Sequence, residues 1–204
     1  YVAWCFKAGG AAVLNEEGDE DSYVSANNDL GFSIVKGDST ATGSDVKTVG
    51  HGLDSAPELV IMKNRNDQDS WWVYSSTTGV SKYLKLDSTV GTTTWFQNMV
   101  VNSTEIGVRT DSTGTWSNMI AYCFTSKRGV SKVGSYTGDG STSNKVYTGF
   151  EPAFVLQKRT DNTSNWRIFD NVRGTEKELY ANANDAEPSD VAYIDFNRDG
   201  FTLT

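Results

Sequence analysis

Several residue types on which common active sites and partners depend are scarce in this sequence. Its 204 residues include only one histidine, two cysteines and three prolines. No apolar run approaches the roughly 20 residues that cross a bilayer. Lysine and arginine form no cluster of the kind that marks a nucleic-acid interface, and the net charge is −8. We therefore expect neither nucleic-acid binding nor membrane insertion.

The two cysteines, Cys5 and Cys123, are too few for a disulfide framework. Each lies in a short apolar pattern typical of a strand, Val-Ala-Trp-Cys-Phe in one case and Ile-Ala-Tyr-Cys-Phe in the other. We predict that both are buried thiols that pack as small hydrophobic side chains. A bridge or a metal site is the alternative.

Aromatic and small polar residues are abundant instead. The chain has six Trp, nine Tyr and nine Phe, and these suit pleated, half-buried surfaces. Clusters of Gly, Asn, Asp, Ser and Thr separate the short apolar runs, as turns require. No stretch has a helical period, so the sequence predicts an all-β fold of sandwich, jelly-roll or lectin-like type.

The sequence contains an internal repeat. Residues 56–76 align without a gap to residues 151–171, and Trp71 falls on Trp166, 95 residues later. The Val-Ala-Trp-Cys-Phe motif near the start recurs as Ile-Ala-Tyr-Cys-Phe at residues 120–124. A repeated pattern of this length predicts tandem copies of one β-sandwich module.

The repeat divides the chain into four predicted segments. These are the last strand of a preceding module (1–8), an acidic linker (9–30), a first module (31–124) and a second module lacking its final strand (125–204). On this interpretation the chain is a section of a longer array of such modules. Alternatively, Val2–Phe6 pairs in the second sheet and closes it, and the sequence does not separate the two possibilities.

Several motifs occur together in a recognisable order. They are VAWCFKAGG, GFSIVK, VGHGLDSAPELVIMKNR, IAYCF, SKVGSYTGDGS and YTGFEPAFVLQKRTD. In this order they resemble the repeat of tail-fibre-like proteins of bacteriophages, many of them marine. The resemblance covers nearly the whole chain. It implies β-sandwich modules on the extracellular surface of a virion, in a multimeric fibre or spike, and it supplies no catalytic or binding residues.

The resemblance implies a tail-fibre or spike component that displays a surface for attachment to a host-cell receptor, either a glycan or a protein. The expected partners are further copies of the chain, as a trimer, and other virion proteins. Two alternatives remain open. The chain is a purely structural fibre-shaft or capsid-decoration protein, or it is a secreted carbohydrate-binding lectin or glycan-active enzyme.

Residues suited to catalysis do not form a convincing set. His51 is the only histidine, and its counterpart in the second copy is Thr148, so we interpret it as a turn residue. The acidic run Glu17–Asp21 is polar throughout, unlike the cleft-lining carboxylates of glycoside hydrolases, and we predict a solvated loop. We therefore expect no catalytic residues.

A short acidic pattern near the end of the chain resembles the first half of a calcium loop. Asp195, Asn197 and Asp199 fit D-x-[DN]-x-[DN]-G. The acidic residue expected at the twelfth position would fall after Thr204, and the first copy does not keep the pattern. We interpret the stretch as a turn before a strand at 201–203, with calcium as the alternative and no other cofactor predicted.

Aromatic residues present in only one copy are our candidates for ligand binding. Trp71 and Trp166 occur in both copies and are predicted to be core residues. The candidates lie among polar loop residues and can stack on sugars or anchor a protein interface; they are Trp72, Trp95, Phe96 and Trp116. The alternative is that a neighbouring subunit of the fibre buries them.

Overall fold

The computed structural model describes residues 2–37, 46–66, 68–94, 99–109, 118–188 and 193–204. Every regular element within these ranges is a β-strand, which confirms the predicted all-β class. No helix capable of crossing a membrane occurs in this part of the chain.

Seventeen strands are formed by these residues, and every pair between them is antiparallel. Eleven precede residue 125, namely β1 (Val13–Asn15), β2 (Ser22–Asn27), β3 (Phe32–Gly37), β4 (Val46–Gly50), β5 (Leu59–Asn64), β6 (Trp72–Ser75), β7 (Lys82–Lys85), β8 (Thr93–Thr94), β9 (Val100–Val101), β10 (Glu105–Arg109) and β11 (Met119–Phe124). The others are β12 (Lys145–Tyr147), β13 (Phe154–Gln157), β14 (Arg167–Asp170), β15 (Leu179–Tyr180), β16 (Ile194–Asn197) and β17 (Gly200–Leu203).

The strands form two sandwich-like pairs of sheets. An eight-stranded sheet has the order β1-β2-β3-β11-β5-β6-β7-β8, and the sheet β4-β10-β9 covers one of its faces. Their shared core includes Val35, Val60 and Ile106. In the second pair, the sheets β13-β14-β15 and β12-β17-β16 enclose Phe169 and Ile194. Central strands such as β5 and β11 therefore direct alternate side chains into a core.

The two sandwiches meet through the outer face of the eight-stranded sheet. Val73 of β6 and Leu84 of β7 lie opposite each other and form a core cluster with Trp166, which precedes β14. The Trp166 indole N–H also donates to the main-chain oxygen of Lys85, at 2.8 Å. The predicted core role of Trp166 is confirmed, and the core that it joins lies between the two halves of the chain.

The second half of the chain repeats the strand registers of the first half. Leu59 lies opposite Ser75 in the β5–β6 pair, and Phe154 lies opposite Asp170 in the β13–β14 pair. Both residues of the second pair are 95 positions further along. The pair β6–β7 corresponds to β14–β15 in the same way, and β9–β10 corresponds to β16–β17. The sequence repeat is therefore also a repeat of strand register.

The predicted acidic linker at residues 9–30 is wrong. This stretch contains β1 and β2, and β2 pairs with β3 along its whole length. Two polar residues of β2, Ser22 and Ser25, are buried. Both hydroxyls have main-chain acceptors, since Ser22 donates to the Gly50 carbonyl oxygen and Ser25 donates to the Gly10 carbonyl oxygen. The acidic residues Glu17, Asp19 and Asp21 are exposed between these strands, but the stretch is more than a solvated loop, because the Asp19 carboxylate accepts hydrogen bonds from the Thr48 N–H and hydroxyl of β4.

Val2–Phe6 forms no strand, in contrast to the strand predicted there. The ring centroids of Trp4 and Phe6 lie 5.4 and 6.0 Å from that of Phe154 in β13. Phe6 also contacts Phe32 and Phe124. The segment thus packs where the two sandwiches meet.

The two cysteines differ in environment. Cys123 of β11 is fully buried and free, which confirms the prediction of a buried, packed thiol, and burial raises its pKa to about 12. Cys5 is free and exposed, so the same prediction is wrong for it. The difference arises because Cys5 belongs to a segment that is not hydrogen-bonded into a sheet.

Candidate functional site

A cleft of about 210 Å³ lies beside the last two strands of the eight-stranded sheet, lined by Tyr83, Lys85, Ser88, Val90, Gly91 and Thr93. Tyr83 and Lys85 are alternate residues of β7 and share one face of the sheet. Thr93 of β8 lies opposite Tyr83, and residues 88–91 come from the connection between these strands. The residues that line the cleft therefore include an aromatic residue, a lysine and two hydroxyl-bearing residues.

Trp72 contacts two of the residues that line this cleft. Its ring meets that of Tyr83 edge to face, with centroids 4.7 Å apart, and the Lys85 Nζ lies 4.5 Å from its ring centroid. The Trp72 indole N–H donates to the Asp69 carboxylate at 2.9 Å. These contacts make Trp72 a half-buried residue that positions Tyr83 and Lys85.

The second sandwich supports one wall of the cleft. The Thr92 N–H donates to the Thr160 carbonyl oxygen at 2.8 Å, and Lys158 Nζ donates to the Thr89 carbonyl oxygen at 3.1 Å. Gly91 fits here because a Cβ atom at this position would lie 2.7 Å from the Thr160 oxygen. The cleft is thus formed by one sandwich and braced by the other.

The other predicted binding residues, Trp95, Phe96 and Trp116, lie outside the described residues. Trp95 and Phe96 directly follow β8 in the sequence, and β8 contributes Thr93 to the cleft. Their role in ligand binding stays a prediction. Sequence reasoning missed Tyr83 and Lys85, because neither a single tyrosine nor a lysine in a short strand is distinctive.

A family model described as a domain of unknown function, DUF7483, matches residues 1–204. The chain belongs to the DUF7483 family. The match includes Val2–Phe6 and both sandwiches, so all four sheets lie within the one DUF7483 domain. Neither curated proteins nor solved structures give a match.

His51 of the DUF7483 domain is a buried turn residue. Its Nδ1 accepts a hydrogen bond from the Leu53 N–H at 3.1 Å, and its Nε2 lies 3.2 Å from the Asn102 carbonyl oxygen. The counterpart Thr148 uses its hydroxyl oxygen in the same way, to accept from the Phe150 N–H at 3.4 Å. The predicted turn role is confirmed, and the bonds favour a neutral ring protonated at Nε2.

We expect His51 to make the domain less stable in mild acid. Burial lowers the pKa of His51 below its ordinary value, so between those two pKa values the unfolded chain binds the proton more strongly. The stabilising contribution of the neutral, buried His51 side chain is therefore complete above about pH 6.5. It decreases as the pH falls below that value.

The test compares the free energy of unfolding at pH 7.5 and pH 5.5 in the natural domain and in His51→Thr. Threonine is the matched replacement, because Thr148 occupies the equivalent turn. The difference between the two pH values should be smaller in the variant. An equal difference in both proteins would contradict this role for His51.

The stretch proposed as half of a calcium loop forms a tight hairpin between β16 and β17, which confirms the predicted turn. The Asn197 amide donates to the Asp195 carbonyl oxygen at 3.1 Å and to the Thr202 hydroxyl at 2.8 Å. The Asp199 carbonyl oxygen accepts from the Thr148 N–H. No group of three or more His, Cys, Asp or Glu side chains in the described ranges is arranged to hold a metal ion.

Glu178 is a buried carboxylate that sequence reasoning missed. It accepts hydrogen bonds from the Arg167 guanidinium at 3.2 Å and from the Tyr180 hydroxyl at 2.5 Å. The hydrogen bond to Glu178 and burial together raise the pKa of Tyr180 to about 12. Arg167 also lies over the Tyr193 ring, 3.9 Å from its centroid. The cluster is internally paired and joins β14 to β15.

Proposed function

We propose that this DUF7483 domain is a non-catalytic component of a bacteriophage tail fibre or spike, and that it displays a surface for attachment to a host-cell glycan. The cleft beside β7 and β8 supports this proposal. An aromatic ring such as Tyr83 supplies apolar contact area for one face of a sugar. Lys85 and the hydroxyl groups of Ser88 and Thr93 supply the few placed polar groups that orient a ligand.

The chemistry of the cleft favours a class of sugar. The domain carries a net charge of −8, yet Lys85 lines the cleft and no acidic residue is among its lining residues. A sugar that bears a carboxylate or another acidic group would gain a charge-assisted hydrogen bond there. We therefore favour acidic bacterial surface polysaccharides as ligands.

The architecture also suits a virion component. In this proposal the two sandwiches are tandem copies of one module, packed back to back through Trp166, and the cleft is carried by a loop on a rigid scaffold. Loops held in this way commonly carry binding residues. The motifs that resemble tail-fibre-like proteins extend over the same residues as the two sandwiches.

Binding to an array of bacterial surface polysaccharides tests the proposal. Tyr83→Ala should weaken binding about fivefold, since an aromatic ring contact contributes about 1 kcal/mol. Tyr147→Ala is the matched control because Tyr147 is exposed on β12, in a different sheet, and it should leave binding unchanged. Failure of the natural domain to bind any glycan, or equal loss in the two variants, would overturn the proposal.

A purely structural role as a fibre-shaft or capsid-decoration protein is the second candidate, and the edge of the eight-stranded sheet favours it. β1 is the outermost strand, and Leu14 on it lies opposite Tyr23 of β2. The side chains of Val13, Leu14 and Tyr23 are 65%, 51% and 52% exposed. An apolar edge strand of this kind can pair with another chain, and subunits of a homo-oligomeric fibre would cover it.

A further inference from the structure

The second sandwich has a free edge at a position that is filled in the first. In the eight-stranded sheet β11 pairs with β5 over six residues, from Met119 opposite Asn64 to Phe124 opposite Leu59. The repeat makes β13 the counterpart of β5, but among the described residues β13 is the edge strand of its sheet and pairs only with β14. An edge of this kind presents main-chain N–H and C=O groups without strand partners.

The sequence of Val2–Phe6 fits this free edge. Val-Ala-Trp-Cys-Phe matches Ile-Ala-Tyr-Cys-Phe of β11, with identical residues at the second, fourth and fifth positions. When the β11–β5 register is transferred by the repeat, Phe6 lies opposite Phe154, Cys5 opposite Val155 and Trp4 opposite Leu156. Aromatic residues would then stand on the outer face of the sheet, as Tyr122 and Phe124 do in β11.

The segment already lies at one end of that edge. Trp4 and Phe6 both contact the Phe154 ring, with centroids 5.4 and 6.0 Å away. Trp4 also contributes to lowering the pKa of the Asp170 carboxyl, and Asp170 lies directly opposite Phe154. The Arg173 guanidinium lies 5.9 Å from the Trp4 ring centroid. Side-chain contacts with the second sandwich are therefore present before any main-chain pairing.

The residues that follow hold the segment close to this position. Gly9 lies against the main chain of Ala26, where a Cβ atom would be 2.0 Å from the carbonyl oxygen. The Ser25 hydroxyl donates to the Gly10 carbonyl oxygen at 2.8 Å. Between this anchor and Phe6 the only hydrogen bond that the described residues show is from Asn27 to the Lys7 carbonyl oxygen, a long and exposed contact of 3.4 Å. A shift along β13 would break that bond and exchange the ring contacts of Trp4 and Phe6 for contacts along the strand.

We propose that Val2–Phe6 adds to the free edge of β13 as an antiparallel strand of the same chain, with Phe6 opposite Phe154 and Cys5 opposite Val155, and so closes the second sandwich. The sheet would then have the order Val2–Phe6, β13, β14, β15, which reproduces β11-β5-β6-β7 of the first sandwich. This inference is independent of glycan binding, because the cleft lies beside β7 and β8.

A cysteine cross-link tests this register. Directly opposed residues of antiparallel strands have Cα atoms about 4.5–5.5 Å apart, within the range that a disulfide spans. After refolding under oxidising conditions, Val155→Cys should form an intramolecular disulfide with Cys5, seen as a monomer of altered mobility and as a linked peptide in mass spectrometry. Ala153→Cys, two residues away on the same side of the strand, should not.

The positive control uses the equivalent pair in the first sandwich. Cys123 lies opposite Val60, so Val60→Cys in a Cys5→Ser background should link to Cys123 under the same conditions. If that control links and Val155→Cys does not, the proposed strand is overturned. A link at Ala153→Cys would overturn the register, and a covalent dimer would show that a second copy, and not the same chain, fills the edge.

Discussion

Replacing Trp166 with alanine is expected to lower the free energy of unfolding by about 3–5 kcal/mol, the usual range for removing a buried Trp side chain. The ring is only 4% exposed and packs against Val73 and Leu84 of the other sandwich. Alanine would also leave the Lys85 carbonyl oxygen without its indole donor. Urea denaturation followed by circular dichroism measures the change.

Trp71 provides a matched control, because it occupies the same position in the first copy. Trp71 is half-buried and stacks on Tyr122, with ring centroids 6.4 Å apart. Trp71→Ala should therefore lower the free energy of unfolding clearly less than Trp166→Ala does. Trp166→Phe retains most of the apolar contact but loses the indole hydrogen bond, and should cost about 1 kcal/mol through that bond. Equal costs for the two alanine variants would contradict a core between the sandwiches.

Glu178→Ala is expected to destabilise the domain by about 3 kcal/mol, the lower end of the cost of removing one partner from a buried ion pair. The lower end applies because the Arg167 side chain is 26% exposed and can reach water, whereas Glu178 is 1% exposed. The change would leave both Arg167 and the Tyr180 hydroxyl without their shared acceptor.

A second measurement separates this role from a general loss of packing. Tyr180 has its pKa raised to about 12, with the hydrogen bond to Glu178 as the largest cause. The ultraviolet absorbance titration of the folded variant should therefore contain one tyrosine that ionises at lower pH than in the natural domain. Glu176→Ala, an exposed change two residues away, should alter neither the free energy of unfolding nor the tyrosine titration. If Glu178→Ala strongly lowers the free energy of unfolding without changing the tyrosine titration, the hydrogen bond between Tyr180 and Glu178 would be contradicted.

Much of the fold could be predicted because its signals are local or repeated. Short apolar runs in segments such as Leu59–Asn64 indicate strands directly, and the 95-residue offset between Trp71 and Trp166 is visible in the sequence alone. The strand registers keep that offset. A repeat aligns residues that have equivalent neighbours, so it carries information on pairing that composition lacks.

Other features depend on distant partners and could not be predicted in this way. β2 follows an acidic stretch and contains two serines, and it is a strand because β3 pairs with it and because Ser22 and Ser25 find main-chain acceptors. From the sequence alone, Glu178 cannot be distinguished from a surface glutamate. Its partner Arg167 lies beside it only because of the β14–β15 register. The cleft likewise depends on Thr160, 67 residues after Thr93 in the sequence.

The arrangement of sheets relates these features to the proposed function. Trp166 joins the sandwiches, and the same contact brings residues 158–164 against the connection that forms the cleft wall. A rigid wall reduces the ordering that a ligand must impose when it binds. Stability at the contact between the sandwiches and affinity at the cleft should therefore change together in Trp166 variants that still fold.

The most direct test of the account is a structure of the assembled particle that contains this chain, at a resolution that shows side chains. We predict that the DUF7483 domain lies at an exposed part of a tail fibre or spike, with Tyr83 and Lys85 facing solvent. A chain packed along a shaft or capsid, with a neighbouring subunit covering the cleft, would contradict host attachment and leave a structural role.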